Sequence, residues 1–333
     1  MKITFFEIAE LEKAPLTELL PGHELVFYSE KLTAENAALA KDSDVISIFI
    51  NSQITKELLD LLPNLKLIQT RSTGFDHIDL EAAKAKGIPC STVPAYGSHT
   101  VAEFAFALIL TLSRKIFMAR HQLMEGGGFN IPATLQGFEL KGKTLGVVGT
   151  GRIGKNIIKI AKGLEMNVIA HDIYPDAQFA AEQKFEYADL PTLLQQSDIV
   201  TLHTPYDEKS HHLINKDNIG LMKKTALFIN TARGALVETD ALIRALERGD
   251  IAGAGLDVLE GERELKDEIV LLKGGAEFKD YKTLFENHVL MDMPNVVLTP
   301  HIAFDTAEGV HEILEVTAKD INGFAGGNPV NLL

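Results

Sequence analysis

The chain has 333 residues, of which 46% are hydrophobic, and its 46 acidic and 32 basic residues give a formal net charge of −14. This length predicts two domains with packed cores, and the acidic balance argues against nucleic acid as a partner. The single cysteine, Cys90, excludes an internal disulfide, which fits a reducing compartment and predicts a cytoplasmic protein.

Residues 1 to about 98 alternate strand patterns with helical patterns. Residues 1–7 predict a first strand rather than a signal peptide, because the long apolar stretch and the cleavage site of a signal peptide are missing. Strands are predicted at 3–7, 25–28, 45–50, 65–70 and 90–93. Helices are predicted at 16–20, 34–40, 56–62 and 80–86. The alternation predicts a small parallel sheet flanked by helices.

Residues 99–124 predict one long, mostly apolar helix, which ends at the glycines 126–128. The most apolar stretch, 104–112, is too short to span a bilayer, so no membrane association is expected. Residues 129–143 predict an irregular arm that leads to the next strand.

The segment 144–172 has the pattern of a dinucleotide-binding unit. A strand pattern at 145–148 precedes Gly149-Thr150-Gly151-Arg152-Ile153-Gly154, and a helical pattern at 153–164 and a strand at 168–170 follow it. Gly149 allows a tight turn, Gly151 leaves room for a pyrophosphate, and Gly154 permits close packing of helix and strand. The helix N-terminus offers N–H groups to phosphates. A lone glycine pattern is often only a turn, but both strands in register favour a nucleotide site.

Asp172, at the end of the second strand, indicates which dinucleotide binds. Its carboxylate can accept hydrogen bonds from both ribose hydroxyls, whereas a 2′-phosphate would face its negative charge. No Arg or Lys follows at residues 173–176. The sequence therefore predicts NAD rather than NADP as the cofactor.

Beyond residue 172 the alternation continues. Strands are predicted at 199–202, 226–230, 254–256 and 296–298, and helices at 191–196, 216–221 and 240–247. The charged stretch 264–287 is predicted to be an insertion at the edge of the nucleotide domain, and 306–324 to be a final helix.

The position of the glycine motif in mid-chain predicts a split domain, because a nucleotide domain usually starts at its first strand. Residues 1–98 plus 302–333 would form the substrate domain, and residues 99–301 the NAD-binding domain. The predicted fold class is α/β, with two Rossmann-like or flavodoxin-like doubly wound parallel-sheet domains. Ligands are expected in a cleft between them, at the carboxyl ends of the strands.

Polar side chains follow three predicted strands of the nucleotide domain. Arg233 follows 226–230, Asp257, Glu260 and Glu262 follow 254–256, and His301 follows 296–298. An Arg can bind a carboxylate with two hydrogen bonds, and a His beside a carboxylate is a natural acid/base. Each residue alone has a structural explanation, as a solvated charge, a turn acid or a core histidine. Beside a dinucleotide site, the set predicts hydride transfer to a keto acid.

The remaining histidines, including the pair His211-His212, lack such support and are predicted to be structural. No metal is predicted in the site.

These residues carry a resemblance over nearly the whole chain. The chain resembles the NAD-dependent D-isomer-specific 2-hydroxyacid dehydrogenases. The matching segments are Arg71-Ser72-Thr73-Gly74-Phe75-Asp76, the glycine motif 149–154, His203-Thr204-Pro205, Asn230-Thr231-Ala232-Arg233-Gly234, Gly255-Leu256-Asp257-Val258, Glu262 and Pro300-His301.

The resemblance implies catalytic roles. Arg233 would hold the substrate carboxylate and polarise the carbonyl, His301 would be the acid/base, and Glu262 would pair with His301. Glu260 is a rival for that pairing, but the family's acid stands five places after Asp257, at Glu262.

The resemblance also implies ligand contacts. Asp257 would contact the nicotinamide carboxamide, and Thr73 and Gly74 would offer backbone N–H groups to the substrate carboxylate. The other residues expected to line the cofactor are His203, Thr204, Pro205, Thr231 and Ala232.

Two further matches are similar to the D-lactate dehydrogenase branch. Tyr96 would reach the substrate, and Phe304 stands three residues after His301, as in that branch. The insertion before His301 resembles the longer loop of the branch. The departures at Gly97-Ser98 and Asp305 leave open whether pyruvate or a bulkier keto acid is preferred.

The sequence thus predicts a D-2-hydroxyacid dehydrogenase that reduces pyruvate to D-lactate with NADH. Family resemblance predicts a homodimer, formed through the 99–124 helix and the arm after it. One alternative is the same enzyme class acting on a branched or aromatic 2-keto acid. Another is an NAD-sensing, corepressor-like binding protein, against which the joint presence of Arg233, Glu262 and His301 argues.

Overall fold

The structure, a computed structural model, describes residues 1–94, 96–126, 128–262 and 281–333. These residues divide into two units, Met1–Gly97 with Asp305–Leu333, and Ser98–Phe304.

The strands are β1 Lys2–Phe5, β2 Glu24–Phe27, β3 Val45–Ile48, β4 Leu67–Thr70, β5 Cys90–Ser91, β6 Thr144–Val148, β7 Asn167–His171, β8 Glu186–Tyr187, β9 Ile199–Leu202, β10 Leu227–Asn230, β11 Gly253–Leu256 and β12 Val296–Leu298. The helices are α1 Glu10–Leu19, α2 Lys56–Asp60, α3 Leu80–Ala85, α4 Ser98–Ser113, α5 Ile116–Met124, α6 Arg152–Gly163, α7 Ala177–Gln183, α8 Leu190–Gln196, α9 Thr239–Glu247, α10 Tyr281–Asp292 and α11 Ala307–Ala325. Within the described residues, no helix combines the length and apolarity that crossing a membrane requires.

The first unit is built on a parallel sheet with the strand order β2-β1-β3-β4-β5 among the described residues. Successive side chains of a strand point to opposite faces, so Val45 packs with α1 and α11 while Ile46 packs with α2 and α3. Both faces are therefore covered, which explains the nearly continuous apolar pattern of β3.

The second unit contains a parallel sheet with the order β12-β11-β10-β9-β6-β7-β8 in the described part of the chain. Leu227 and Ile229 of β10 face α4 and α6, whereas Phe228 faces α8 and α9. The order reverses at β6, so the loops after β6 and β9 lie beside each other at the carboxyl ends of the strands. This is the position at which doubly wound sheets bind ligands. The prediction of two parallel α/β domains is confirmed.

The single helix predicted at 99–124 is wrong, because the structure contains two helices, α4 and α5. Lys115 adopts a left-handed conformation with φ of 55° between them. The carbonyl of Ser113 accepts a hydrogen bond from Phe138 N at 2.9 Å, and a Cβ on Gly137 would lie only 2.2 Å from that carbonyl oxygen. The Ser113 carbonyl, which would accept a hydrogen bond from the next turn of a continuous helix, instead accepts one from the arm. Helical periodicity in the sequence does not reveal such a contact.

Two predicted helices, 34–40 and 216–221, form only short 3-10 turns, Ala37–Ala40 and Ile219–Leu221. In each segment an asparagine binds nearby backbone. Asn36 Oδ1 accepts from Thr33 N at 2.8 Å, and Asn218 Oδ1 accepts from Asn215 N at 2.9 Å. Side-chain bonds of this kind compete with α-helical hydrogen bonds.

The structure also contains elements that the sequence patterns did not predict. Helix α1 begins six residues before the predicted start at residue 16, with Pro15 inside it. Helix α7, capped by Asp176, and strand β8 were not predicted. The stretch interpreted as an insertion, 264–287, lies outside the described residues up to 280, and its remainder belongs to α10.

A buried carboxyl group links the C-terminal tail to α11 in the first unit. Asp320 is 1% exposed and accepts a hydrogen bond from Asn331 Nδ2 at 2.7 Å. Burial raises the pKa of Asp320 to about 6, although hydrogen bonds from Asn331 and Gln69 oppose this shift. Because the folded pKa lies above the usual value of 3.8, the stabilisation from the protonated group is fully present below that value. It is lost as the pH rises through about 6.

Asp320→Asn cannot ionise at this position. When the pH is raised from about 5 to about 8, we therefore expect its thermal stability to fall less than that of the wild type. The measurement is the midpoint of thermal unfolding at both pH values. Asp42→Asn, at an exposed position of the same unit, serves as the control and should follow the wild type. An Asp320→Asn midpoint that falls as far as that of the wild type would show that this carboxyl does not contribute.

Candidate active site

Glycines shape the loop between β6 and α6. Gly149 has a φ of +92°, and a Cβ there would lie 2.7 Å from the backbone of His203. A Cβ on Gly154 would lie 2.0 Å from the carbonyl oxygen of Gly149. A Cβ on Gly151 would meet nothing within 4 Å. Close packing thus requires the first and third glycines, while the second borders open space, as a pyrophosphate site needs.

The N-terminus of α6 adjoins this open space. Gly151 is the residue before the helix and provides no side-chain cap, and the first helical residues are Arg152, which is exposed, and Ile153, which is half-buried. The first N–H groups of a helix have no partner within the helix, and the helix dipole adds positive potential there. The arrangement can bind an anionic phosphate group.

Asp172, at the end of β7, is held at the same loop. Its Oδ2 accepts hydrogen bonds from Thr150 N at 2.6 Å and Thr150 Oγ1 at 2.8 Å, and its Oδ1 accepts from Tyr174 N at 2.8 Å. Burial alone would raise the pKa of Asp172, but the hydrogen bonds from Thr150 and Tyr174 together lower it below its usual value. The group is therefore a carboxylate at neutral pH and can accept hydrogen bonds from ribose hydroxyls.

Two buried polar atoms in the loops after β9 and β10 have no hydrogen-bond partner among the described residues. They are His203 Nδ1 and Thr231 Oγ1. The other ring nitrogen of His203 lies 2.9 Å from Thr201 Oγ1, and burial lowers the pKa of His203 to about 3, so the ring is neutral. Buried polar atoms are nearly always hydrogen-bonded, so these two atoms fit a site completed by a bound molecule.

The other residues predicted to line the cofactor lie in the same two loops. Thr204 is half-buried and Pro205 is exposed in the loop after β9, and Ala232 is half-buried in the loop after β10. With the glycine loop and the two unpartnered atoms, they fit a dinucleotide laid across the carboxyl ends of the sheet.

Arg233 lies in the loop after β10, whose backbone is fixed by Asn230. The Asn230 side chain donates to the Arg233 carbonyl at 2.8 Å and accepts from Ala232 N at 3.0 Å. A Cβ on Gly234 would lie 2.0 Å from the backbone of Leu259, so this loop packs directly against the turn after β11. The Arg233 side chain is half-buried, and its Nη1 donates to the Ala232 carbonyl at 2.8 Å.

Asp257, at the end of β11, anchors the loop that carries His301. One carboxylate oxygen accepts from Thr299 Oγ1 at 2.6 Å and from Ile302 N at 3.0 Å, and the other accepts from Ala303 N at 2.8 Å. Burial raises the pKa of Asp257, although these hydrogen bonds oppose the shift. The observed contacts are structural, and the contact with nicotinamide stays a prediction.

His301 and Glu262 form the closest acid–histidine contact of the site. His301 Nδ1 lies 2.7 Å from Glu262 Oε1, with side chains that are 18% and 24% exposed. Glu262 Oε2 also accepts from Leu259 N at 3.3 Å. His301 has a φ of 57°, which is unusual for a residue other than glycine. The carboxylate occupies Nδ1 and leaves Nε2 as the ring nitrogen that can exchange a proton.

Glu260, the rival acid, contacts a different histidine. Its Oε1 lies 2.9 Å from His212 Nε2, and its Oε2 accepts from Thr239 Oγ1 at 3.1 Å. Glu262 is therefore the acid beside His301, although the two glutamates are only two residues apart.

The predicted substrate residues belong to both units. Thr73, which is exposed, and Gly74 follow β4, where Thr73 Oγ1 donates to the Val93 carbonyl at 2.8 Å. Tyr96 follows β5 in the first unit, and Phe304 is the last residue of the second unit, both half-buried. Their contacts with a substrate stay predictions.

The structure adds residues that the sequence analysis did not single out. Thr150 holds Asp172, Tyr187 lies 2.9 Å from Thr150 Oγ1, and Thr299 holds Asp257. Thr150 lies inside the glycine motif and Thr299 directly precedes the Pro-His pair, so position alone could have indicated both. Tyr187 had no local signal, because its strand β8 was not predicted.

Comparisons with known proteins extend over nearly the whole chain. The family model for the NAD binding domain of D-isomer specific 2-hydroxyacid dehydrogenase matches residues 106–303. The chain is 36% identical over 333 residues to the D-lactate dehydrogenase of Escherichia coli strain K12, with 98% of each chain covered. It is 38% identical over 300 residues to the glyoxylate reductase of Thermococcus litoralis, with 88% of this chain and 84% of the relative covered. The crystal structure of D-lactate dehydrogenase from Aquifex aeolicus complexed with NAD and lactic acid matches with a TM-score of 0.87 and 37% identity, covering 98% of this chain and 96% of that one.

Proposed function

The chain belongs to the D-isomer specific 2-hydroxyacid dehydrogenase family, and on that premise we propose that it is a D-lactate dehydrogenase that reduces pyruvate to D-lactate. It is an oxidoreductase, and its cofactor is NAD. The observation that carries the proposal is the 2.7 Å contact between His301 and Glu262, in the unit that also contains the glycine loop and Arg233. This contact supports a role for His301 as the proton donor, in the same unit as the residues that would hold the cofactor.

The cofactor-binding residues divide by the part of NAD that they would hold. The glycine loop and the N-terminus of α6 would hold the pyrophosphate, and Asp172 the adenosine ribose. His203 Nδ1 and Thr231 Oγ1 would complete their hydrogen bonds with the nicotinamide half. NAD supplies or accepts the hydride when bound.

The catalytic residues divide the remaining work. Arg233 binds the substrate carboxylate through two N–H groups, and its charge makes the keto carbon more electrophilic. His301 donates the proton on Nε2 to the carbonyl oxygen, and Glu262 stabilises the charged imidazole and fixes its orientation. In the reverse direction, neutral His301 accepts the hydroxyl proton.

The choice of pyruvate is supported by Tyr96 and Phe304 and by the names of the similar proteins, among which D-lactate dehydrogenase recurs. The departures at Gly97-Ser98 and Asp305 and the similar glyoxylate reductase favour a second candidate, an enzyme for another 2-keto acid. A pure NAD sensor would need only the nucleotide site. A sensor function would therefore leave the His301–Glu262 pair unexplained.

A substrate panel tests the proposal. The purified protein is mixed with NADH and with pyruvate, glyoxylate, the keto acid of leucine or phenylpyruvate, and the loss of NADH absorbance is followed. We expect the highest kcat/KM with pyruvate and a product that is D-lactate on a chiral column. A higher kcat/KM for another keto acid would change the proposed substrate and leave the enzyme class unchanged. NADH binding without any turnover would support the sensor instead.

Asp172 predicts the preference between the two nicotinamide cofactors. Because a like-charge contact costs several kcal/mol, we expect kcat/KM for NADH to exceed that for NADPH by about 100-fold or more. Asp172→Ala should lower the ratio of the two kcat/KM values, mainly because NADH binding becomes weaker. Glu182→Ala removes an exposed acid of α7 and should leave the ratio unchanged. Equal values for the two cofactors in the wild type would contradict the role of Asp172.

We also propose a homodimer formed through α5 and the arm that follows it. Phe129 and Ile131 of the arm are 95% and 92% exposed, and Leu123 and Met124 of α5 are also exposed. Large apolar side chains clustered on a surface indicate an interface, and a second copy offers the same apolar patch. Sedimentation should give a dimer for the wild type and a larger monomer fraction for Phe129→Asp. A monomeric wild type would exclude the proposal.

The cytoplasm is the compartment that we propose. Cys90 is buried, and burial raises the pKa of its thiol to about 11, so the group is a poor nucleophile and redox partner. Proteins of oxidising compartments are commonly stabilised by disulfides, and a chain with one cysteine cannot form an internal disulfide. Cell fractionation tests the location, and recovery of the protein with an oxidising compartment would contradict it.

A further inference from the structure

Two adjacent histidines and a glutamate form a cluster outside the residues assigned to NAD and substrate. His212 Nε2 lies 2.9 Å from Glu260 Oε1, and the rings of His211 and His212 stack with centroids 3.8 Å apart. Each of the three residues offers one ligand atom, and these atoms lie within 4.8 Å of one another. The interpretation of the histidine pair as purely structural did not anticipate the carboxylate beside it.

We propose that His211, His212 and Glu260 bind a divalent transition-metal ion of the zinc, nickel or copper type. Two imidazoles and one carboxylate suit these ions, whereas magnesium and calcium prefer oxygen ligands alone. His211 is exposed and the other two residues are half-buried, so an ion can enter from solvent. The net charge of −14 raises the local concentration of cations.

Binding of zinc would require the three ligand atoms to shift from their observed separations. Zinc bonds of about 2.0–2.2 Å in a tetrahedral site place ligand atoms about 3.4 Å apart. The 2.9 Å contact between His212 and Glu260 must open slightly, and the wider separations in the cluster must close. Tyr206 packs edge-on against His211, with its hydroxyl 3.4 Å from His211 Nδ1, which orients the ring. The fourth position of the ion is left for water.

The cluster joins three loops that also carry active-site residues. Ser210, beside His211, donates to the Pro205 carbonyl at 3.1 Å. His212 N donates at 2.9 Å to the carbonyl of Ala235, in the turn after the Arg233 loop. Glu260 lies two residues before Glu262 in the third loop. A bound ion would therefore cross-link the loops after β9 and β11, the first of which already contacts the segment after β10, and raise the thermal stability of this unit.

Zinc binding to the full-length protein tests the site. After treatment with a chelator, the protein competes with a chromophoric chelator for Zn²⁺, and thermal unfolding is recorded with and without the ion. We expect one ion per chain and a higher Tm with Zn²⁺. His211→Ala removes one ligand and keeps the His212–Glu260 contact, so the fold should persist while affinity falls by about 10–100-fold or more.

Two variants separate this site from other surface histidines. His311→Ala removes an exposed histidine that lies 3.2 Å from Glu315 on α11, and it should bind zinc like the wild type. His301→Ala should also keep zinc binding, which would exclude the His301–Glu262 pair as the site. Absence of zinc binding, equal affinity in the wild type and His211→Ala, or loss of binding in His301→Ala would each overturn the proposal.

Discussion

Replacing His301 by Ala should lower kcat for pyruvate reduction by about 10²–10⁴-fold, the usual contribution of general acid–base catalysis. The ring is oriented by Glu262 at 2.7 Å and is the only group that we assign to proton transfer. NADH binding, followed by fluorescence, should persist, because the glycine loop and Asp172 are unchanged. His311→Ala on the surface of α11 serves as the control for the loss of an imidazole.

Two results would contradict the prediction for His301→Ala. A loss of less than about tenfold would mean that another group or water supplies the proton. A parallel collapse of NADH binding would mean that His301, whose backbone has an unusual positive φ, supports the loop structure instead.

Two matched glutamine variants separate the role of Glu262 from that of Glu260. Glu262→Gln keeps the shape and removes the carboxylate that orients the His301 ring, so kcat for pyruvate reduction should fall by about tenfold or more while NADH binding persists. Glu260→Gln should leave kcat close to that of the wild type, since Glu260 contacts His212. An unchanged kcat in Glu262→Gln would exclude its assigned role.

Replacing Arg233 by Lys should lower kcat/KM for keto acids by about 10²-fold or more, although the charge is kept. Loss of one partner from a hydrogen-bonded charge pair costs about 2–5 kcal/mol, and an ammonium group cannot reproduce the two parallel bonds of a guanidinium. NADH affinity should remain close to that of the wild type. Arg244→Lys, at an exposed position of α9 paired with Asp240, provides the matched control.

If NADH affinity falls together with kcat/KM, Arg233 is a cofactor or structural residue. Its half-buried side chain already donates to the Ala232 carbonyl, so this outcome would assign it to the loop rather than to the substrate. Titration of the Arg233→Lys variant with NADH alone distinguishes the two.

Local patterns in the sequence predicted the strands that carry the site. The strands predicted at 199–202 and 296–298 have the observed bounds, because short apolar runs rich in β-branched residues are typical of buried parallel strands. The glycine motif is equally local, since the turn, the strand before it and the helix after it are contiguous in the chain. The sequence could also place Arg233, Glu262 and His301 after neighbouring strands.

Contacts between distant segments decided the rest. The break between α4 and α5 depends on Phe138, which lies far along the arm and takes the carbonyl of Ser113. Asp172 is held by Thr150, which lies 22 residues away, and Thr150 in turn contacts Tyr187 of an unpredicted strand. Helical or strand periodicity contains no information about such partners.

The sequence by itself determined the α/β class, the nucleotide motif and the residue types available at the carboxyl ends of the strands. Only the tertiary structure decided which of these residues touch. Glu262 meets His301 across 39 residues, Glu260 meets His212 across 48, and Asp257 binds the loop around His301. A contact of this kind requires side chains to come within about 3 Å, and loop conformations set that distance. Those conformations depend on non-local packing, such as the approach of Gly234 to Leu259, which spacing along the chain does not encode.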